Sequence, residues 1–144
     1  MAPDLHLTVA SRLRGLGQRY TANRRSLVEI LDDTWQPLAI PEILSGRSKL
    51  AQSSAYRNLA VLERAGVVRR VVTNEEFARY ELAEDLTEHH HHLVCSNCGT
   101  VEDVMIPTRL ERSMERALAD VASGIGFAAI SHRLDLIGTC RSCG

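Results

Sequence analysis

Residues 89–99 read HHHHLVCSNCG, and a second C-x-x-C pair, CRSC, occupies residues 140–143. The two pairs hold all four cysteines of the chain. Thiolates two residues apart in a tight turn converge on one ion, so two such pairs predict a tetrahedral zinc site of Cys95, Cys98, Cys140 and Cys143. A glycine follows each pair and suits the end of such a turn, which often requires φ > 0.

Two disulfides or a thioredoxin-like redox centre are the alternatives for these cysteines. Disulfides require an oxidising compartment, and the N-terminal residues lack the apolar segment of a secretory signal. A redox motif needs only one C-x-x-C pair. We therefore expect structural zinc in a cytoplasmic protein. No apolar run approaches the length of a membrane span, so no membrane partner is expected.

The charge of the 144-residue chain is divided unevenly. Residues 1–83 carry 12 Lys and Arg against 9 Asp and Glu (12 − 9 = +3), whereas residues 84–144 carry 5 against 9 (5 − 9 = −4), which gives the net charge of −1. A basic first half suggests a polyanionic partner, and an acidic second half rich in His and Cys suggests cations.

Helical periodicity in the first half predicts four helices. They are a short first helix carrying Leu5, Leu13 and Leu16; a second capped by Thr21 and running through Asp32; a third that starts at Pro41 and ends at Ser45-Gly46; and a fourth over residues 53–65, capped by Ser53 or Ser54 and ended by Gly66.

After Gly66 the pattern changes to that of strands. Residues 67–72 and 77–82 predict two strands joined by a turn at residues 73–76. Helix, helix, turn, helix and β-hairpin is the order of a winged helix-turn-helix. We predict this domain over residues 1–83, followed by a polar, acidic hinge over residues 84–88.

Residues 89–144 predict a second, smaller α/β domain. We expect strands over residues 89–95, 100–104 and 127–137. Between the last two, Pro107 opens a helix that closes at Gly124 and Gly126. Its apolar face carries Leu110, Met114, Leu118 and Val121. The predicted fold class is α+β, with the four-cysteine zinc site in the second domain.

The fourth helix would be the one that enters the major groove, where its first residues contact base edges. Its start offers hydroxyl, aromatic and guanidinium groups, and arginines on the preceding helix and the wing could hold phosphates. Any single one of these side chains could equally be a core or solvated residue, but the set favours DNA. The predicted contacts are Arg19, Arg24, Ser53, Ser54, Tyr56, Arg57 and Asn58, with Arg25, Arg69 and Arg70 as further phosphate contacts.

The four histidines of residues 89–92 predict two separate metal sites. Alternate side chains of a strand point to opposite faces, so His89 and His91 share one face and His90 and His92 share the other. An affinity tag is the alternative, but a tag stands at a terminus and this run is internal and joined to a cysteine pair.

Three segments resemble motifs of the ferric uptake regulator family. Residues 54–68 resemble the recognition-helix pattern S-T-x-Y-R-x-L…L…G-[LI]-V, residues 89–99 resemble H-H-x-H-x-x-C-x-x-C-G, and residues 126–143 resemble the C-terminal segment. The resemblance covers nearly the whole chain. It implies a metal-sensing repressor, not an enzyme, that binds a double-stranded DNA operator as a homodimer through a C-terminal dimerisation domain over residues 89–144. No small-molecule substrate is implied.

The resemblance also implies two further metal sites. One, inside the dimerisation domain, would use His89, His91, Glu115 and His132, with Glu111 as the alternative glutamate one turn earlier. The regulatory site at the hinge would use Glu81, His90 and His92, with Asp85, Glu84 or a water as the fourth ligand.

The chain departs from the family pattern at that fourth ligand. Iron-sensing members use a histidine just before the third helix, where this chain has Gln36-Pro37-Leu38. Zinc-sensing members often use an aspartate after the G-L-V and a cysteine near the hinge, where this chain has Arg69 and no cysteine.

Imidazole and carboxylate ligands suit Zn²⁺, and also Fe²⁺, Mn²⁺ and Ni²⁺. We expect a member similar to the zinc-uptake regulators, with zinc in the structural site and Zn²⁺ or Fe²⁺ in the regulatory site, controlling metal-uptake genes. Other regulators on the same scaffold, sensing iron, another divalent metal or peroxide, are the alternatives. A metal-dependent enzyme or a metal-storage module are alternatives of other classes. The first is disfavoured because all four cysteines are committed to a closed site, the second because of the recognition helix.

Overall fold

Four helices and a small sheet form the N-terminal part of the chain. The structure is a computed structural model that describes residues 4–34, 36–45, 49–71 and 78–144. The helices are α1 (Leu5–Gly15), α2 (Ala22–Asp32), α3 (Ile40–Leu44) and α4 (Gln52–Arg64). Strands β1 (Leu38–Ala39), β2 (Val68–Val71) and β3 (Arg79–Leu82) form an antiparallel sheet in the order β1-β3-β2. The predicted winged helix-turn-helix is confirmed.

Local signals explain where the first two helices begin. Asp4 caps α1 by accepting bonds from the backbone N–H groups of His6 and Leu7. Thr21 caps α2 by accepting from the N–H of Arg24, as predicted. The helices bury their apolar faces together in one core, whose fully buried members include Val9, Leu13, Leu27, Val28, Ile43, Leu59, Leu62 and Val67.

The start of α4 differs from the prediction. The helix begins at Gln52, and its N-cap, Ala51, has no side-chain capping bond. Ser53 and Ser54 therefore lie inside the first turn, and the prediction that one of them is the cap is wrong. Ser54 instead accepts bonds from the Asn58 amide on its backbone oxygen (2.9 Å) and its hydroxyl (3.2 Å).

The end of α4 turns the chain into the wing. Gly66 has φ = +73°, and the N–H groups of Gly66 and Val67 donate to the carbonyls of Glu63 (3.0 Å) and Leu62 (2.9 Å). This is a Schellman motif, and its positive φ favours glycine. The predicted turn at residues 73–76, the neighbouring Val72 and Phe77, and Gly46 lie outside the described residues.

The predicted hinge is not free of structure. Residues Glu84–Leu86 form a single 3₁₀ turn, and the Ala83 N–H donates to the carbonyl of Val67 (2.8 Å). Asp85 forms an ion pair with Arg12 of α1. The same arginine donates to the carbonyl of Gly66 (2.6 Å). Residues 83–86 are therefore held against the N-terminal part.

The C-terminal part contains a three-stranded sheet and a long helix. Strands β4 (His91–Cys95), β5 (Val101–Val104) and β6 (Asp135–Gly138) have the order β5-β4-β6, with β4 antiparallel to β5 and parallel to β6. The helix is α5 (Thr108–Gly124). The predicted strand over residues 127–137 is thus confined to 135–138, because β4 pairs with the chain only along that stretch.

The C-terminal part has little core of its own. Val94 and Val101 form a small buried cluster with Val71 of the wing. Along α5, all of which is described, every residue stays exposed or half-buried, including the apolar side chains of Leu110, Leu118 and Val121. Ile130 is 99% exposed.

Among the described residues, none of the helices combines the length and apolar character that crossing a bilayer requires.

The N-terminal core gives a first prediction. Leu59→Ala should lower the free energy of unfolding by about 2–5 kcal/mol, because a fully buried leucine is lost and a cavity remains. Leu16→Ala is the control, since Leu16 is half exposed, and its effect should stay within about 0.5 kcal/mol. Urea unfolding followed by circular dichroism measures both. Equal losses in the two variants would contradict this placement of the core.

Candidate metal centres and DNA-binding surface

The four cysteines converge at the end of β4. They form no disulfide, and their Sγ atoms all lie within 4.8 Å of one another. The Sγ atoms of Cys98 and Cys140 are 3.8 Å apart. Tetrahedral zinc with Zn–S bonds of about 2.3 Å separates its sulfurs by about 3.8 Å, so this donor set fits a structural zinc ion.

Backbone geometry prepares Cys95 to act as a thiolate. Its Sγ accepts bonds from the backbone N–H groups of Cys98 (3.5 Å) and Cys140 (3.3 Å). These bonds lower the pKa of the Cys95 thiol to about 6. The parallel pairing of β4 with β6 sets Cys95 beside Gly138 and so brings the second C-x-x-C pair to the first.

A second cluster, which we call the hinge cluster, consists of Glu81, His90, His92 and Asp103. Glu81 comes from the wing strand β3, His92 from β4 and Asp103 from β5, whereas His90 directly precedes β4. The Nε2 atoms of His90 and His92 each lie 3.1 Å from a Glu81 carboxylate oxygen. Those Nε2 atoms lie 3.7 Å and 3.6 Å from Asp103 oxygens.

Asp103 is a candidate ligand that was not predicted from the sequence. It lies directly opposite His92 in the antiparallel pairing of β4 with β5, and opposed residues point to the same face. The tight turn at Cys95–Gly99 fixes this register. That turn is the feature of the sequence from which the pairing of Asp103 with His92 could have been predicted. Burial raises the pKa of Asp103, and its Oδ1 is buried without a hydrogen-bond partner among the described residues. An orphaned carboxylate oxygen beside two imidazoles fits a cation.

The hinge cluster is strongly polarised. Burial alone would raise the pKa of Glu81, but hydrogen bonds from His90 and His92 and the charge of Arg69 hold it well below its usual range. The bond to Glu81 raises the pKa of His90 to about 9. The Nδ1 of His92 lies 3.2 Å from Asp135 of β6, a carboxylate that orients the ring.

Asp85, predicted as the fourth hinge ligand, lies elsewhere. Its side chain is 63% exposed and pairs with Arg12, which lowers the pKa of the Asp85 carboxyl. The 3₁₀ turn of residues Glu84–Leu86 places the Asp85 side chain outside the hinge cluster. Glu84, the alternative, contacts the Nδ1 of His89 instead.

A third cluster consists of His89, His91, Glu111 and His132. The Nε2 atoms of the three histidines lie 2.8, 2.9 and 2.5 Å from the carboxylate oxygens of Glu111. Burial opposes ionisation, but these bonds outweigh it and lower the pKa of Glu111 to about 2. The four donors can hold one divalent ion.

The structure places Glu111, not Glu115, in this third cluster. Glu115 was the residue preferred from the sequence, with Glu111 as the alternative. α5 begins at Thr108, so Glu111 stands in its first turn beside the histidines, and Glu115 lies about 6 Å further along the axis. The two faces of the histidine run are as expected: the rings of His89 and His91 meet at 4.7 Å and those of His90 and His92 at 5.2 Å.

The seven residues predicted to contact DNA divide into four exposed side chains and three, Arg24, Ser54 and Asn58, that hydrogen-bond to one another within the protein. Arg19, Ser53, Tyr56 and Arg57 are exposed, and Tyr56 retains 45% of its accessible surface. By contrast, the Nε of Arg24 donates to the amide oxygen of Asn58 (2.9 Å), an interaction that braces α2 against α4.

Among the arginines expected to hold phosphates, Arg69 is the exception. Its side chain is buried against Glu81 and does not lie on the wing surface. Arg25 and Arg70 are exposed and pair with Glu29 and Glu63.

The fold and these clusters define a winged helix-turn-helix protein with metal-binding donor sets. A sequence description of the ferric uptake regulator family matches residues 15–137. The peroxide operon regulator of Bacillus subtilis is 30% identical over 135 residues, covering 91% of this chain and 88% of that protein. The ferric uptake regulation protein of Rhizobium leguminosarum bv. viciae is 32% identical over 139 residues, covering 94% and 93%.

The fold of this chain also resembles solved structures of the same family. The Helicobacter pylori ferric uptake regulator Fur, whose structure reveals three functional metal binding sites, superposes with a TM-score of 0.75 at 25% identity over 99% of this chain and 95% of that one. The chain therefore belongs to the ferric uptake regulator family, whose members are metal-responsive transcriptional regulators and not enzymes.

The third cluster gives a prediction with a matched control. Glu111→Gln should remove one bound divalent ion per chain, because the three imidazoles lose their shared carboxylate. Glu115→Gln makes the same chemical change one turn later and should keep the ion. Inductively coupled plasma mass spectrometry of protein purified with zinc measures both. Loss in Glu115→Gln with retention in Glu111→Gln would reverse the assignment.

Proposed function

We propose that this protein is a zinc-responsive transcriptional repressor of metal-uptake genes that binds its operator as a homodimer. The observation that carries the proposal is the hinge cluster, because its four donors come from both parts of the chain. Glu81 belongs to the wing, whereas His92 and Asp103 belong to the C-terminal sheet and His90 directly precedes its strand β4. A divalent ion bound there supplies the charge that holds all four donors together.

Metal binding at the hinge cluster would change DNA affinity through the strands that connect Glu81 to α4. Glu81 lies in β3, which pairs with β2, and β2 follows directly after α4. Fixing Glu81 against the C-terminal sheet therefore fixes the direction in which α4 points. Two α4 helices in a dimer must match the spacing of successive major grooves, so this direction decides whether both can bind.

The start of α4 supports the choice of DNA as partner. Ser53, Tyr56 and Arg57 stand exposed on its first turns, where a recognition helix contacts base edges. Arg24 and Asn58 would position that helix by their mutual hydrogen bond, in place of the DNA contacts expected from the sequence.

The exposed apolar surface of the C-terminal part supports the homodimer. Leu110, Leu118 and Val121 of α5 and Ile130 after it face solvent in the single chain. Leu110, Leu118 and Val121 recur at helical spacing, and exposed apolar side chains gathered on one helix face mark an interface. A second copy would cover it and supply the core that residues 89–144 lack.

Zinc is the proposed effector that binds the hinge cluster. A second zinc ion, bound by the four cysteines, would hold the ends of β4 and β6 together in the C-terminal sheet. Two imidazoles and two carboxylates suit Zn²⁺ but also Fe²⁺ and Mn²⁺. An iron- or peroxide-responsive regulator is the second candidate, favoured by the peroxide operon regulator and ferric uptake regulation protein among the relatives. Gel shifts with Zn²⁺, Fe²⁺ and Mn²⁺ in turn separate these candidates, and zinc should give the tightest complex at the lowest metal concentration.

The hinge mechanism predicts the behaviour of one double variant. His90→Ala/His92→Ala should lose the metal-dependent part of operator affinity, about 5- to 150-fold, the usual range of coupling between two sites. Fluorescence anisotropy with labelled operator, with and without zinc, measures this loss. Size-exclusion chromatography should still show a dimer.

Asp85→Asn is the control for that experiment. Asp85 lies outside the hinge cluster, so this variant should keep the zinc dependence of DNA binding. Unchanged zinc-dependent binding in the double variant would contradict the proposed function.

A further inference from the structure

Arg69 is a buried cation at the edge of the hinge cluster. It lies directly opposite Glu81 in the pairing of β2 with β3, and its Nε donates to Oε1 of Glu81 over 2.6 Å. The two side chains are only 14% and 8% exposed. A guanidinium stays protonated at any physiological pH, so this charge is permanent.

Glu81 is therefore shared between two kinds of partner. Its Oε1 faces Arg69 and His92, at 2.6 Å and 3.1 Å, and its Oε2 faces His90 and His92, at 3.1 Å and 3.2 Å. Any cation held by His90 and His92 would have to use the carboxylate that Arg69 already engages. The cation and the guanidinium would then lie within a few ångströms of each other.

We propose that Arg69 sets the metal affinity of the hinge cluster by acting as a built-in counter-ion for Glu81. This inference rests on the proposed function, in which the hinge cluster is the regulatory metal site. Two positive charges on one buried carboxylate repel each other, and weak screening in the interior makes that repulsion large. Arg69 therefore raises the metal concentration at which the hinge cluster fills.

The same residue has an opposite effect on the metal-free protein. A buried carboxylate without a cationic partner is strongly destabilising, and Arg69 supplies a permanent charge beside the hydrogen bonds from His90 and His92 when no metal is bound. Arg69 and a metal ion are thus alternative counter-ions for Glu81. Removing Arg69 makes the fold depend more on the metal, whereas loss of a merely structural contact would weaken both states.

Arg69→Gln isolates the charge, because a glutamine amide can still donate a hydrogen bond to Glu81. We expect its hinge cluster to bind zinc at least about tenfold more tightly than that of the wild type, as expected when a charge beside a partly buried ion is removed. Competition with a chromophoric chelator measures this affinity. The melting temperature should be lower than the wild-type value without zinc, and the rise on adding zinc should be larger.

Two further variants act as controls. Arg69→Lys keeps the charge and should bind zinc with nearly wild-type affinity. Arg70→Gln changes the next residue of the same strand, which is exposed and paired with Glu63 instead, and should also leave the affinity unchanged. If Arg69→Gln is unfolded without zinc, zinc-dependent folding followed by circular dichroism supports the proposal, and failure of zinc to restore the fold contradicts it.

Zinc affinity in Arg69→Gln equal to or weaker than that of the wild type would overturn the role of Arg69. The zinc equivalent that belongs to the hinge cluster is identified as the one lost in His90→Ala/His92→Ala. If that double variant loses no equivalent, the proposed function fails. If it loses one and Arg69→Gln does not bind zinc more tightly, only the role of Arg69 fails.

Discussion

The Glu81 carboxylate is the contact on which the coupling of the two parts depends. It is buried at the end of the wing strand, and it accepts from Arg69 within the wing and from His90 and His92 of the C-terminal sheet. A buried carboxylate must keep cationic or donor partners, so it binds whatever its surroundings provide. Under the proposed function, this requirement would make the boundary between the DNA-binding part and the C-terminal sheet sensitive to metal.

The C-terminal part buries little apolar surface, and under the proposed function bound metal would add to its stability. In the part of the chain that the structure describes, its sheet joins the wing in a buried cluster of three valines, and α5 contains no buried residue in the single chain. Among the described residues, three donor clusters draw on this small region, one of them together with Glu81 of the wing, and two of them use opposite faces of the same histidine run. A domain with so small a core can gain stability by binding metal ions and by pairing with a second copy of the chain.

The features predicted correctly from the sequence are those whose determining signal is local. Helix periodicity, the Thr21 cap, the Gly66 stop and the alternation of residues 89–92 each depend on a few neighbouring residues. Prediction failed where pairing between distant segments decides. Asp103 joins the hinge cluster through the register of β4 with β5. Glu111 takes the place expected for Glu115 because His89, His91 and His132 meet the first turn of α5. Asp85 pairs with Arg12, which lies 73 positions earlier in the chain, and so points away from the hinge cluster. Arg69, expected on the wing surface, is drawn inward by a carboxylate on the adjacent strand.

Hydrogen–deuterium exchange tests most directly whether Glu81 links the wing to the C-terminal sheet through the metal. Zinc should slow amide exchange over residues 79–82 and 91–95 together in the wild type, because both segments hold the same ion. In Glu81→Gln the protection of residues 79–82 by zinc should disappear. Protection by zinc that is confined to residues 91–95 in the wild type would contradict the account.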